Sequence, residues 1–70
     1  MPEMTPVSSS MIAAIGYDDD ARELVVEFSN GATWAYEGVG RDSYEDMLVA
    51  GSVGQYFLRW IKGKHPERRL

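Results

Sequence analysis

The stretch that decides the fold is ELVVEFSNGATWAYE, Glu23 to Glu37. Leu24, Val26 and Phe28 alternate with Glu23, Val25 and Glu27, the period of two that marks a strand. Asn30-Gly31 follows, a strong short-range hairpin signal because Gly and Asn tolerate left-handed backbone. Ala32 to Gly38 then returns as a second strand, with Trp34 and Tyr36 on one face. Two registers are open. A two-residue loop pairs Ser29 with Ala32 and sends Trp34 and Tyr36 away from Leu24, Val26 and Phe28. A bulged loop with left-handed Gly31 pairs Phe28 with Ala32, Val26 with Trp34 and Leu24 with Tyr36. A slip of one residue moves every side chain to the other face. The bulged register is the more consistent, since it collects five large apolar groups on one face. Its cost is that Glu23 faces Glu37.

Working outward, Asp18 to Ala21 supplies a turn, because aspartate side chains accept bonds from nearby backbone amides. Residues 9–17 before it form another strand, with Ile12, Ile15 and Tyr17 as strand formers and the alternation blurred at Ala13-Ala14. Ahead of that, residues 1–6 hold two prolines and no periodicity, and are expected to be a mobile arm. Beyond Gly38-Val39-Gly40 the period becomes helical. Asp42 with Glu45 forms a capping-box pattern for a first helix ending near Gly51, with Tyr44, Met47 and Leu48 as its apolar stripe. Ser52 with Gln55 repeats the pattern for a second. Val53, Tyr56, Phe57, Trp60 and Ile61 follow the spacing of a buried helix face, and Leu58 lies off it. Gly63 and Pro66 end the helix. The expectation is an α+β fold: a three-stranded antiparallel β meander followed by two short α-helices on one sheet face. Residues 7–63 form the domain, residues 64–70 a basic tail, and Trp34, Tyr36, Tyr56, Phe57 and Trp60 an aromatic core.

Composition narrows the function classes. The 70 residues are 44% hydrophobic and 26% charged, as in ordinary globular domains. There is no cysteine and one histidine, His65, which excludes a disulfide framework, a cysteine zinc site and a multi-histidine site. No metal and no cofactor are expected. The longest apolar run, Met11 to Ile15, is far short of a membrane span, and the first ten residues carry no Lys or Arg. The chain is expected to be cytoplasmic, with no membrane partner. The net charge of −4 hides an asymmetry: residues 1–58 carry −8 and residues 59–70 carry +4. The basic end consists of Arg59, Lys62, Lys64, Arg68 and Arg69 against Glu67.

The order of residues resembles the KTSC domain family. Its carriers are Pro6-Val7-Ser8-Ser9-Ser10, Ile15-Gly16-Tyr17-Asp18, Leu24-Val25-Val26-Glu27-Phe28 with Gly31, and then Ala50, Ser52, Gly54, Tyr56, Phe57 and Ile61. The family's central Tyr-x-Tyr stands here as Trp34-Ala35-Tyr36. Gly40 replaces a common proline, and Leu58 stands where a polar residue is usual. The resemblance implies a small bacterial-type domain, found alone or at the C-terminus of some lysyl-tRNA synthetases. The family's function is unknown, and RNA binding has been suggested for it.

The residues themselves offer little catalytic chemistry. Ser8, Ser9 and Ser10 would need a base and an orienting group, and the one histidine sits in the tail. Backbone bonding at a strand start accounts better for these hydroxyls. Asp18-Asp19-Asp20 lacks calcium-loop spacing, and Gly38-Val39-Gly40 lacks the lysine of a phosphate loop. The chain is therefore expected not to be an enzyme. Two binding readings stand: weak RNA contact through Arg59, Lys62, Lys64, Arg68 and Arg69, or a protein-interaction or homo-oligomerising module using the second-helix surface around Leu58.

Overall fold

A computed structural model describes residues 1–70. Its elements are β1 (Thr5–Pro6), β2 (Ile12–Asp18), β3 (Glu23–Phe28), β4 (Thr33–Glu37), α1 (Arg41–Leu48), α2 (Val53–Tyr56) continued by a π-helical turn (Phe57–Ile61), and β5 (Glu67–Arg69). The class is α+β, but the sheet has five antiparallel strands in the order β1-β2-β3-β4-β5, not three. The two additional strands come from segments expected as an arm and a tail. Thr5 and Pro6 pair with Ile15 and Ala14, and Glu67 to Arg69 pair with Tyr36 to Trp34. Both strands are too short and too exposed to carry an apolar period, so backbone pairing alone defines them.

The central hairpin takes the bulged register. Phe28 N–H donates to Ala32 O at 2.8 Å and Gly31 N–H to Phe28 O at 2.9 Å, with Gly31 at φ 93°. Val26 then faces Trp34, Leu24 faces Tyr36, and Glu23 faces Glu37. The positive φ is the reason glycine stands there, since a Cβ would be strained. The turn before β3 is also as expected: Asp18 Oδ1 accepts from Asp20 and Ala21 N–H. In β2 the blurred alternation is a bulge between Ile12 and Ala14, which lets Ile12 and Ile15 both reach the core.

The helices cover one sheet face. Ile12, Ile15, Leu24, Val26 and Tyr36 pack with Val39, Tyr44, Met47, Val53, Phe57 and Ile61 in one apolar cluster. Phe57 lies at its centre, edge-on to Phe28 and Tyr36 at 5.4 and 5.2 Å between ring centroids. The opposite face carries the buried row Gly16, Val25 and Ala35. Residues of the N-terminal arm lie directly over Gly16. A Cβ there would stand 2.7 Å from both Glu3 O and Met4 Sδ.

Two expectations about the helices need correction. Gly40, not Asp42, is the N-cap of α1, and no side chain caps it. Glu45, free of a capping role, instead pairs with Arg41 at 3.2 Å. Trp60 is not core but 52% exposed. The cause is the π-helical turn, in which Lys62 N–H bonds Phe57 O, five residues back. This wider turn keeps Phe57 and Ile61 inward and rotates the intervening Trp60 to solvent. Trp34 and Tyr56 are half-buried, packed at the cluster's margin. By contrast, the second capping position forms as expected, with Ser52 Oγ accepting from Gln55 N–H at 3.2 Å.

Candidate nucleic-acid interface

The surface that stands out is the shoulder where α2 widens into its π-helical turn. Leu58, Arg59 and Trp60 are consecutive and all exposed, Leu58 by 50%. The Arg59 guanidinium stands over the Trp60 ring at 5.3 Å, a cation–π contact that orients both groups. Tyr56 lies one turn back with its ring tilted toward Trp60 at 6.5 Å. An exposed aromatic face beside a guanidinium is what a base and its phosphate require of a single-strand site. The π turn is the local feature that creates it, since a regular helix would have turned Trp60 inward.

The chain then reverses through Lys62 to Glu67, which together line a shallow depression of about 470 Å³. Gly63 makes the reversal possible at φ 78°. His65 is tethered to the sheet, its Nδ1 lying 3.0 Å from Glu37 O. From Pro66 the chain re-enters the sheet as β5.

The five cations expected to meet an anion fall into two groups. Lys62 and Arg68 are already paired within the molecule. Lys62 Nζ lies 3.2 Å from Glu67 Oε1. Arg68 forks onto Glu23, donating from Nη2 at 2.8 and 3.1 Å and from Nε at 3.3 Å. That hydrogen-bonded carboxylate holds the Arg68 guanidinium above its usual pKa. It also answers the cost noted above, since Arg68 neutralises the Glu23 that faces Glu37. Arg59, Lys64 and Arg69 make no ion pair. Arg69 stands across from Trp34 in the sheet.

The other candidates are placed by local structure. Ser9 Oγ accepts from the N–H groups of Met11 and Ile12, both at 3.2 Å, the strand-start role expected of the serine run. Asp19 is occupied by Arg41 at 2.7 Å. Sequence reasoning missed this Arg41 clamp, which also sits 5.9 Å from the rings of the stacked pair Tyr17 and Tyr44. The left-handed turn residue Arg22, φ 56°, belongs to the same corner, where its carbonyl accepts from Val39 N–H. Only the Tyr17–Asp18 end of that corner carried a readable signal.

Fold and shoulder together describe a small α+β module with an acidic body and a basic, aromatic end. More particularly, the chain belongs to the KTSC domain family, whose profile matches residues 8–65. It is 42% identical over 59 residues to a protein of Tsukamurella paurometabola, covering 84% of this chain and 88% of that one. It is 36% identical over 61 residues to the lysine–tRNA ligase of Nostoc punctiforme, covering 87% of this chain but 11% of the ligase. The crystal structure of a KTSC domain protein from Yersinia pestis superposes with a TM-score of 0.95 at 38% identity, covering 100% of this chain and 99% of that one.

Proposed function

We propose that this chain is a non-catalytic, cytoplasmic module that binds single-stranded RNA, including the exposed single-stranded parts of tRNA, through its basic end. The observation that carries the reading is the exposed Arg59–Trp60 pair on the π-helical turn. Trp60 offers a stacking face and Arg59 a phosphate contact. Lys64 and Arg69 extend the charge, while Lys62 and Arg68 contribute after partial release from Glu67 and Glu23. The occurrence of a similar stretch in lysine–tRNA ligases supports RNA as the ligand class. In this reading the five-stranded domain presents the shoulder, and residues 64–70 supply the remaining cations.

The acidic body keeps the contact small. With three unpaired cations neutralising phosphates, log K should fall against log salt with a slope of about −2, from roughly −0.7 per phosphate for single strands. Single-stranded RNA titrated at low salt should shift the backbone amide resonances of residues 58–64. Arg59→Ala should weaken binding irrespective of sequence, because phosphate contacts carry none. Unchanged resonances at low salt would remove the RNA reading. The 50% exposure of Leu58 beside Trp60 would then favour a protein-interaction or self-associating surface.

A further inference from the structure

The last strand, like β1, has no buried residue. All three of its residues are exposed, and the core cluster takes no member beyond Ile61. What holds it is polar. Glu37 N–H bonds Pro66 O and Leu70 N–H bonds Thr33 O, both at 2.9 Å. Arg68 and Glu67 add ion pairs to Glu23 and Lys62. The receiving surface is nevertheless specific. The Glu23 side chain faces Glu37, and Arg68 supplies the cation that pairs with it at 2.8 Å.

The segment leading into β5 is a hinge by composition. Gly63 takes left-handed φ here but accepts extended backbone equally well. Pro66 biases His65 toward an extended conformation. Two contacts hold the bend: Lys64 N–H to Ile61 O at 3.1 Å, and His65 Nδ1 with Glu37 O.

We propose that residues 66–70 exchange between two copies of this chain, each seating its last strand on the partner's β4. The contacts of β5 with Glu23, Thr33 and Glu37 would all re-form, because those partners lie outside the hinge. Monomer and exchanged dimer then differ only in the hinge and in concentration, the general condition for domain swapping. Opened, the five residues 62–66 reach about 17 Å. A vacated β4 would leave an unpaired edge beside half-buried Trp34, so it is reoccupied rather than left open. Simple edge-to-edge pairing of two β5 strands is the weaker alternative, since a short, arginine-rich edge beside a proline resists it. Exchange also places Arg68 and Arg69 of one copy on the body of the other, so that the basic surface is shared by two chains.

The absence of cysteine makes the test clean. Thr33→Cys and Leu70→Cys are made as separate single variants, concentrated together, diluted and oxidised. Exchange predicts a disulfide joining one chain of each kind, in excess of the like-with-like products. The second arm alters the hinge. Deleting Lys64 should turn a minor dimer into the main species by light scattering, whereas inserting three residues after Lys64 of the otherwise unchanged chain should leave it monomeric. No mixed disulfide, together with a Lys64 deletion that stays folded and monomeric, would overturn the proposal.

Discussion

Replacing Gly16 by alanine probes the arm that lies across the back of the sheet. The new Cβ would sit 2.7 Å from the backbone oxygen of Glu3 and from Met4 Sδ, and 3.3 Å from Pro2 Cγ. The thioether can swing aside, but the carbonyl cannot. It is anchored by the pairing of Thr5 with Ile15 and Pro6 with Ala14. Overpacking of this kind costs about 1–3 kcal/mol. Against that, alanine is better than glycine within a strand by roughly 0.5–1 kcal/mol. The net expectation is a loss of about 1 kcal/mol in the full chain. Removing residues 1–4 abolishes the clash, so in the shortened chain the same substitution should be neutral or stabilising by about 0.5 kcal/mol. Urea denaturation of the four proteins gives a double-mutant cycle with a coupling of about 1–2 kcal/mol. An equal cost of Gly16→Ala in both backgrounds would show that the arm does not rest on Gly16.

Further expectations concern the core, a cap and a titration. Phe57→Ala removes the ring that meets Phe28 and Tyr36, and should cost about 3–5 kcal/mol in denaturant melts, enough to unfold a large fraction of so small a domain. Ser52→Ala removes the acceptor for Gln55 N–H and should cost about 1 kcal/mol, with Ser52→Asp restoring most of it. Burial, with the Glu67 carboxylate beside it, pushes the Tyr36 phenol from 10.0 up to about 12. The unfolded chain therefore releases this proton first, and stability falls as the pH rises from about 10 to about 12. Linkage sets an upper value of about 3 kcal/mol, and solvent screening around exposed Glu67 reduces it to about 1–2 kcal/mol. In Tyr36→Phe that part of the alkaline decline should vanish from the melting curves.

The elements that were legible in the sequence are those whose signal is local. Asn30-Gly31 and the alternation on either side define the hairpin register, and Ser52-x-x-Gln55 defines the start of α2. The edge strands were not legible, because Thr5-Pro6 and Glu67-Arg68-Arg69 have no buried face and are fixed by partners far along the chain. The same non-locality governs the candidate site. Its cations are plain in the sequence, but that Arg68 is consumed by Glu23, 45 residues away, is a consequence of β5 joining the sheet. Trp60 was misplaced because the 3.6-residue period assumes a regular helix, and one i to i+5 bond suffices to break it.

The central claim is that Trp60 is a stacking platform for RNA, and its own fluorescence tests it most directly. Trp34→Phe leaves Trp60 as the sole tryptophan, so the emission reports the shoulder alone. Titration with single-stranded RNA at low salt should quench that emission to saturation. The quench should reverse on adding salt and weaken severalfold in an added Arg59→Ala background. Emission unchanged up to about 100 μM RNA, the weak end of non-specific affinity, would contradict the account.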